Sequence, residues 1–434
     1  MNLIKSKRKN YNDIILVGLF AFLPISLILG NAISNLNIFL IDIYFLAFCL
    51  YKKNWNWSKN IFFYSFILIW IYLIFNSLLN PMIINEEYNI FNTYHPLNRS
   101  IFFIRFIIFI FAFEFFLRPL KEIFNKIMFV WLIVISILIF DVFFERIFGF
   151  NSLGFTSPSS KRIVSFFKDE LVIGGYLLGF AFIASAYLFE NIKKNFNKKI
   201  FANLFFITIF IGIYLTGERS NFAKYIIIAS FIFIFIDKKL IFLNKKKIIL
   251  IALTIFVISN LLFKDVYNRQ LEFINRIKLM KNEQSYVYKL GLIKHTAHYT
   301  TAWNIFTDYP LFGVGVKNFR HVCSYEKYFD IKLKHTASRC STHPHQIHFE
   351  ILSELGIFGY LIIFTTIFYI LVKSFCIYLK KRNLIHLSSI LYIFASLIPL
   401  LPSGSFFSSF YGTIFWINFS IVYFFSKRIN HLTS

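Results

Sequence analysis

The sequence predicts an all-α integral membrane protein with about twelve transmembrane helices and one large, partly helical loop outside the membrane. Of its 434 residues, 57% are hydrophobic and only 15% are charged, whereas soluble domains are about 45–50% apolar and about 25% charged. Apolar runs recur along the chain, and roughly 20 helical residues cross the hydrocarbon core of a bilayer. The runs lie near 13–30, 36–51, 61–79, 101–117, 127–144, 169–189, 201–216, 222–236, 248–263, 347–372, 386–402 and 406–425.

The positive charge is distributed as in a membrane protein. The net charge of +25 would by itself suggest a nucleic-acid partner. However, every second gap between the apolar runs, counted from the N-terminus, is short and basic, and these seven segments hold 25 of the 46 Lys and Arg residues. Short basic loops stay in the cytoplasm, whereas long loops cross largely regardless of charge. We therefore predict cytoplasmic termini, a segment 264–346 on the outer side, and no nucleic-acid partner.

We predict one polytopic membrane domain over 1–434, with the loop 264–346 inserted between two transmembrane helices. Basic residues precede the run 13–30, but no small-residue cleavage site follows it, so we interpret this run as a retained first helix. Within the loop, segments 268–294 and 300–308 are compatible with helices. Pro310 ends the second of them.

Cysteine usage agrees with this topology. Cys49 and Cys376 lie at the ends of predicted spans, whereas Cys323 and Cys340 both lie in the long outer loop. A pair of cysteines in an oxidising compartment is a disulfide candidate. The alternative is two free thiols.

The first candidate site is the segment 343–346, His-Pro-His-Gln, which leads directly into an apolar helix with Glu350 and Glu354. Polar groups at the mouth of a membrane helix are costly unless a partner or a water-filled cavity satisfies them. The two glutamates are four residues apart and share one helix face. The alternative is an interfacial helix cap with solvated histidines.

Two basic segments are predicted on the same outer side. Segment 216–221 (Thr-Gly-Glu-Arg-Ser-Asn) separates two apolar runs and places Arg219 near the outer surface. The planar guanidinium group matches the oxygens of a phosphate. Segment 161–170 begins with a Lys-Arg pair that includes Arg162. The alternatives are a tight turn with a snorkelling arginine and a loop of solvated charges.

The outer histidines, Arg162, Arg219 and Arg320 can converge on one external cleft. Imidazole transfers protons near neutral pH, and arginines stabilise a diphosphate leaving group. The sequence contains no Walker P-loop, Gly-x-Gly-x-x-Gly before a helix, His-Glu-x-x-His, paired Cys-x-x-Cys or metal-binding Asp-x-Asp. An outer enzyme without nucleotide chemistry needs a substrate that is already activated, such as a lipid-linked diphosphate sugar.

These motifs resemble the signature of the O-antigen ligase and polymerase superfamily. The pair 345–346 (His-Gln), followed after nine residues by Gly-Ile-Phe-Gly at 356–359, is similar to the family pattern, with Gln in place of the commoner Asn. Segment 310–315 (Pro-Leu-Phe-Gly-Val-Gly) matches a Pro-x-x-Gly-x-Gly element. Segment 216–219 matches a Thr-x-Ser-Arg turn, with Glu in place of Ser. The motifs lie within about 160–360.

The resemblance implies a metal-independent, inverting glycosyltransferase in the bacterial inner membrane, with the loop 264–346 in the periplasm and no cofactor. Such proteins move a glycan from undecaprenyl diphosphate to an acceptor hydroxyl. The resemblance implies that His345 is the general base or otherwise activates the acceptor, and that Arg219 contacts the diphosphate. The further substrate-binding candidates are Arg162, Arg320, His343, Gln346 and Glu354.

Three functions remain in competition. The leading expectation is an O-antigen ligase, whose acceptor is lipid A–core. An O-antigen or exopolysaccharide polymerase, whose acceptor is another lipid-linked repeat, is not separated from it by sequence. A transporter or flippase for lipid-linked oligosaccharide would place ionisable groups near the membrane midplane and often contains repeats. Here such groups concentrate at the outer surface and no repeat is evident, which favours an enzyme over a transporter or a multispan scaffold.

Overall fold

The computed structural model describes residues 13–83, 90–159, 161–168, 170–191, 196–236, 245–282, 294–328 and 339–427, and in these ranges it contains helices and no strands. In chain order the α-helices are 13–21 (α1), Leu23–Leu29 (α2), Asn31–Lys52 (α3), Ile61–Ile83 (α4), Ile90–Phe102 (α5), Ile104–Leu117 (α6), Lys121–Phe148 (α7), Ile173–Glu190 (α8), Phe196–Leu215 (α9), Arg219–Phe235 (α10), Lys245–Leu262 (α11), Lys264–Asn282 (α12), Lys294–Asp308 (α13), Phe319–Val322 (α14), Ile347–Lys381 (α15), Leu384–Ser396 (α16) and Ser409–Lys427 (α17).

Seven stretches of the described chain are long and apolar enough to cross a membrane. They are Asn31–Lys52, Ile61–Leu79, Pro96–Leu117, Lys121–Phe148, Ile173–Glu190, Asn197–Leu215 and Ile347–Lys381. An eighth is added if Ile249–Leu262 and Lys264–Glu272, which meet at an angle of 101°, form one broken span. The all-α, multi-pass membrane class is thus confirmed, whereas the number twelve stays a prediction.

Other predicted runs are helical but short or broken. The run 13–30 is divided at Phe22 into α1 and α2. Helices α10 and α16 have 17 and 13 residues, fewer than the roughly 20 of a straight span. Helix α17 includes buried Asn418 and Ser420 within its apolar sequence. Hydropathy locates these segments, but helix breaks and polar positions limit the length of continuous apolar helix.

Helix α8 is the most enclosed of the candidate spans, with 83% of its spanning window buried. A side chain at Gly179 would lie 2.1 Å from a methyl carbon of Ile414, and one at Gly175 would lie 2.6 Å from the ring of Tyr411. Small residues allow helices to approach closely in a membrane. These glycines therefore let α17 pack directly on α8.

Segments predicted to lie on the outer side contact one another. The Ile163 N–H donates to the Thr216 carbonyl at 3.2 Å, which joins segment 161–170 to the turn before α10. Helix α13 lies in the long loop and ends at Asp308, before Pro310, as the sequence predicts. The segment with Arg162 and the turn before Arg219 are therefore adjacent.

Candidate active site

His345 lies where the chain enters α15. Gln346 caps this helix, because its side-chain oxygen accepts hydrogen bonds of 2.6 and 3.1 Å from backbone N–H groups of the first turn. His345 has a left-handed backbone with φ of 60°, which is uncommon outside glycine. Its carbonyl accepts from the Ser403 N–H at 2.7 Å, and its Nε2 lies 3.2 Å from the Ser341 hydroxyl oxygen. These contacts hold both the backbone and the ring.

Three further imidazoles surround His345. The ring centroid of His343 lies 4.2 Å away, and those of His295 and His298 on α13 each lie 5.2 Å away. His298 is only 2% exposed, and its Nδ1 lies 2.9 Å from the Arg339 carbonyl oxygen. Burial, assisted by the neighbouring His345, lowers the pKa of His343 to about 2. His343 is therefore neutral at physiological pH and is a weak proton acceptor.

The two glycine motifs, segments 310–315 and 356–359, contact each other through their backbones. Three hydrogen bonds of 2.7 to 2.9 Å join segment 310–315 to residues 353–357. Gly356 interrupts α15 with φ of 65° and ψ of −169°. A Cβ at Gly356 would lie 2.3 Å from the Leu311 carbonyl group, and one at Gly313 would lie 2.5 Å from the backbone of Glu354. Only glycine fits at this contact, which fixes the outer loop against the membrane helix.

A buried polar network lies next to this contact. The Lys317 backbone N–H donates to Glu354 Oε2 at 2.8 Å, and the Lys317 ammonium lies 3.9 Å from Glu350 Oε1 and also donates to the Ser405 hydroxyl. Glu350 accepts from Ser405 and, at 2.8 Å, from the Phe406 N–H. Glu350 and Glu354 are both 0% exposed. The two glutamates thus bind the outer loop and the segment before α17 to one helix.

Arg320 lies beside the histidine segment. Its Nη2 is 3.4 Å from the Thr342 carbonyl oxygen.

The structure joins Cys323 and Cys340 in a disulfide, with α-carbons 5.1 Å apart. This bond connects the end of α14 to the residues that precede His345.

A second cluster, the basic cluster, is formed by Lys161, Arg162, Arg219 and Arg269 with two glutamates, Glu218 and Glu272. Lys161 Nζ is 2.7 Å from Glu272 Oε1, and Arg219 Nη1 is 3.8 Å from Oε2 of the same residue. Arg162 Nη2 is 3.4 Å from Glu218 Oε1. Arg269 Nε donates to the Gly217 carbonyl oxygen at 2.7 Å. With four cations and two carboxylates, the cluster carries net positive charge.

Acidic residues near the end of α7 hold the loop that carries Arg162. The Ser165 N–H donates to Glu145 Oε2, and the Ser165 hydroxyl donates to Asp141 Oδ2, both at 2.6 Å. The loop returns to the turn before α10 through the Ile163 N–H. The basic cluster is therefore assembled from three separate parts of the chain.

The turn 402–406 connects the two regions. Lys224 on α10 donates to the Pro402 carbonyl at 2.8 Å, and the next residue, Ser403, binds the His345 carbonyl. Helix α10 begins at Arg219. A cavity with both polar and apolar walls lies beside the turn, and the polar part of its lining includes Asn221, Lys224, Ser403, Ser405 and Tyr411.

Residues 204–364 match the family model described as O-antigen ligase. The segment 204–364 therefore resembles the O-antigen ligase superfamily. The matched segment contains Arg219, Lys317, His345 and Gly356. The family match implies a glycosyltransferase-type ligase or polymerase activity on lipid-linked glycans, and with the apolar helices it indicates a multi-pass bacterial membrane protein. Among curated proteins, no sequence matches the chain.

In this chain the predicted site residues fall into two groups. His343 and Arg320 lie near His345, whereas Arg162 and Arg219 lie in the basic cluster. The two other substrate-binding candidates, Gln346 and Glu354, are 1% and 0% exposed and form hydrogen bonds within the protein. Their observed role is to hold the helix start and the outer loop in place.

The sequence interpretation missed His295, His298 and Lys317. The first two are three residues apart and therefore share a helix face, but helix α13 begins at Lys294, six residues before the predicted start. Lys317 lies shortly after segment 310–315, and no sequence pattern distinguishes it. Within the described ranges, no group of three His, Cys, Asp or Glu side chains is arranged to hold a metal ion.

Proposed function

We propose that this chain is an O-antigen ligase that transfers a glycan from undecaprenyl diphosphate to a lipid A–core hydroxyl at the periplasmic face of the inner membrane. The observation that carries the proposal is the connection between the imidazole cluster at His345 and the helix that begins at Arg219, through the turn 402–406. A base and an anion site on neighbouring elements are what transfer from a diphosphate donor requires.

His345 would act as the general base. It would take the proton from the acceptor hydroxyl while the hydroxyl oxygen forms the new bond to the anomeric carbon. The carbon–oxygen bond to the diphosphate would break on the opposite side, so a single displacement would invert the configuration. Positioned proton transfer of this kind typically contributes 10²–10⁴-fold to the rate.

Arg219 and its neighbours would stabilise the departing diphosphate. Arg219 is partly exposed, with 32% of its side chain accessible, so its guanidinium can meet a ligand. The positive end of the α10 dipole lies at the same position and also favours an anion. Arg162 is held by Glu218 in the same cluster and would contribute long-range positive charge.

We propose that the reaction needs no metal, since the arginines supply the charge that a cation would supply for the diphosphate. Transfer by the purified protein should therefore be unchanged by excess EDTA. Loss of activity in EDTA, restored by a divalent cation, would contradict this part of the proposal.

Surface lipopolysaccharide on a gel distinguishes a ligase from a polymerase. Deletion of a ligase removes every O-antigen band, because no glycan reaches lipid A–core. Deletion of a polymerase leaves a band with one repeat unit. The proposal predicts the first pattern, and the second would assign the chain to the polymerases.

One observation favours a transporter as the second candidate. Asp42 in α3 is 3% exposed, and Arg105 also lies within a candidate span. Ionisable groups inside spans often mark a transport pathway. Proteoliposomes with lipid-linked glycan on one side test this: a ligase should transfer the glycan to an acceptor without moving it across the bilayer.

A further inference from the structure

Segment 310–315 exposes one large apolar residue at the edge of the outer loop. Leu311 is 51% exposed, whereas residues 313–318, which follow it closely, are buried. Leu311 and Phe312 occupy the two variable positions of the Pro-x-x-Gly-x-Gly pattern. The glycines explain how this segment docks on α15, but they do not explain why a leucine faces outward beside them.

Phe312 contacts the aromatic rings of two membrane helices. Its ring centroid lies 6.2 Å from that of Phe75 on α4 and 5.6 Å from that of Phe358 on α15. Both helices are long and apolar enough to cross the membrane, and the side chains of Phe75 and Phe358 are exposed. Exposed apolar side chains on a spanning helix face the lipid. The outer loop therefore meets the two spans on their lipid-facing side.

This contact lies near the depth at which the hydrocarbon core ends. Helix α15 has 35 residues and ends at Lys381, whereas roughly 20 helical residues cross the core. Counting roughly 20 residues back from this basic end places the outer edge of the core close to Leu361. The Ile357 N–H donates to the Pro310 carbonyl oxygen at 2.8 Å. Leu311, the next residue, therefore lies at that edge.

The residues just before Leu311 and their neighbour Lys327 are typical of a membrane interface. Lys327 Nζ lies 3.1 Å from Asp308 Oδ2 and 5.0 Å from the ring centroid of Tyr309. Tyrosine and lysine suit this zone because an apolar ring or stem lies against hydrocarbon while the polar tip reaches water. A charged and aromatic rim therefore adjoins the exposed leucine.

We propose that Leu311 anchors the outer loop in the outer leaflet of the membrane, where it inserts among phospholipid acyl chains beside Phe75 and Phe358. The exposed apolar surface continues from this point along both spans, and this continuity favours lipid over a second protein as the occupant. On α4 and α15 the exposed surface includes Ile71, Leu78, Leu361 and Phe368. A site for a soluble protein partner would instead be a bounded patch with a polar rim.

Anchoring at Leu311 fixes the height of the outer loop relative to the bilayer. Helix α13 ends at Asp308, shortly before the anchor, and the chain after the anchor binds α15 through the hydrogen bond from Lys317 to Glu354. Two attachments therefore hold the loop, one to lipid and one to protein. For the proposed ligase, they hold it at the interface where a lipid-linked donor presents its headgroup. The lipid contact itself does not depend on that function.

Site-directed spin labelling tests the lipid contact, using the full-length protein in nanodiscs of phosphatidylethanolamine and phosphatidylglycerol. The background variant is Cys376→Ser, since Cys49 is buried and the other two cysteines form a disulfide. A nitroxide is attached at Leu311→Cys, and its collision rates with oxygen and with nickel-EDDA are compared. Oxygen concentrates in hydrocarbon, whereas the nickel complex stays in water.

Two further positions calibrate the measurement. Leu361→Cys on α15 is the lipid reference, and Glu326→Cys, at an exposed position in the same outer loop, is the matched control in water. We expect the label at position 311 to collide more with oxygen than with the nickel complex, as at 361, and the ratio to be reversed at 326. Leu311→Trp gives a second measurement, because brominated phospholipids should quench its added fluorescence. Size-exclusion profiles show whether each variant is folded.

Two results would overturn the inference. If the label at position 311 has the ratio found at 326, the residue faces water and the loop is not anchored in lipid. If the label is shielded from both reagents, another segment or a second copy of the chain covers Leu311. Failure of the proposed function has a different signature, because the collision ratios are measured without a glycan donor and stay the same even if His345→Ala transfers the glycan normally.

Discussion

The Ser403 N–H donates to the His345 carbonyl oxygen over 2.7 Å. The preceding residue, Pro402, accepts a hydrogen bond from Lys224 on the helix that Arg219 begins. Two hydrogen bonds on adjacent residues therefore link the proposed base to the helix that begins at Arg219, the residue proposed to bind phosphate. Movement of the turn 402–406 would change both positions together.

His345→Ala should abolish glycan transfer and leave the protein folded, because the residue is only partly buried and is not part of the apolar core. Arg219→Lys should also reduce transfer strongly, since lysine keeps the charge but loses the planar fork that holds a phosphate. Transfer in membranes from cells that make the lipid-linked donor measures both. Arg118→Lys, at an i,i+4 pair with Glu114, is the matched control and should be active.

Normal transfer by both variants would remove His345 and Arg219 from the proposed catalytic site. A geometric result would contradict only the idea that these two residues share one site. If an experimental structure with a bound diphosphate analogue separates His345 and Arg219 by more than about 15 Å, one diphosphate sugar could not bridge them. The two residues would then not form one site.

Gly356→Ala should be far more damaging than Gly149→Ala. Both glycines have positive φ, 65° and 80°, but a Cβ at Gly149 meets no atom within 4 Å, whereas one at Gly356 would lie 2.3 Å from the Leu311 carbonyl group. Gly149→Ala therefore reports backbone strain alone, about 1–2 kcal/mol. Gly356→Ala adds displacement of the docked loop. Thermal unfolding in detergent measures the difference, and equal shifts would show that the loop contact is not tight.

Replacement of one member of the Lys317–Glu350 pair should destabilise the protein more than replacement of both. Lys317→Met leaves Glu350 buried without its cation, and Glu350→Gln leaves the ammonium without its carboxylate. Breaking a buried pair on one side costs about 3–5 kcal/mol. The double variant should recover part of this loss. Thermal unfolding of the four proteins forms the cycle, and strictly additive effects would show that the pair is not coupled.

The sequence predicts the local parts of this site well and its assembly poorly. The residues 343–346, Glu354 and the two glycine motifs are recognisable because their spacing within one segment is fixed by a helix start and a tight turn. Ser403 and His298 are not recognisable, because their importance arises from contacts with residues distant in the chain. Gln346 shows a different limit of the sequence interpretation. Its position in the motif is evident from the sequence, but its observed contacts are those of a helix cap.

Removal of the Cys323–Cys340 disulfide should lower stability by about 3 kcal/mol, because the bond closes a loop across a sequence separation of 17 residues. The double Cys→Ser variant should unfold at lower temperature and lose transfer activity when warmed, since the bond anchors the residues before His345. Cys376→Ser, which alters an exposed free cysteine, is the control. The idea fails if alkylation without reductant labels all four cysteines.

The predicted topology places both termini in the cytoplasm and segment 264–346 in the periplasm. A reporter that is active only outside the cytoplasm should therefore be inactive when fused after Lys245 and active when fused after Lys332, which lies outside the described residues. The physical basis is the concentration of 25 basic residues in seven short segments, which the membrane potential and anionic lipids retain inside. The result matters for the chemistry, because the imidazole cluster and Arg320 lie within this loop. If both fusions report the cytoplasm, the proposed site would face nucleotide-linked donors instead, and the lipid-linked diphosphate mechanism would have no substrate on its side of the membrane.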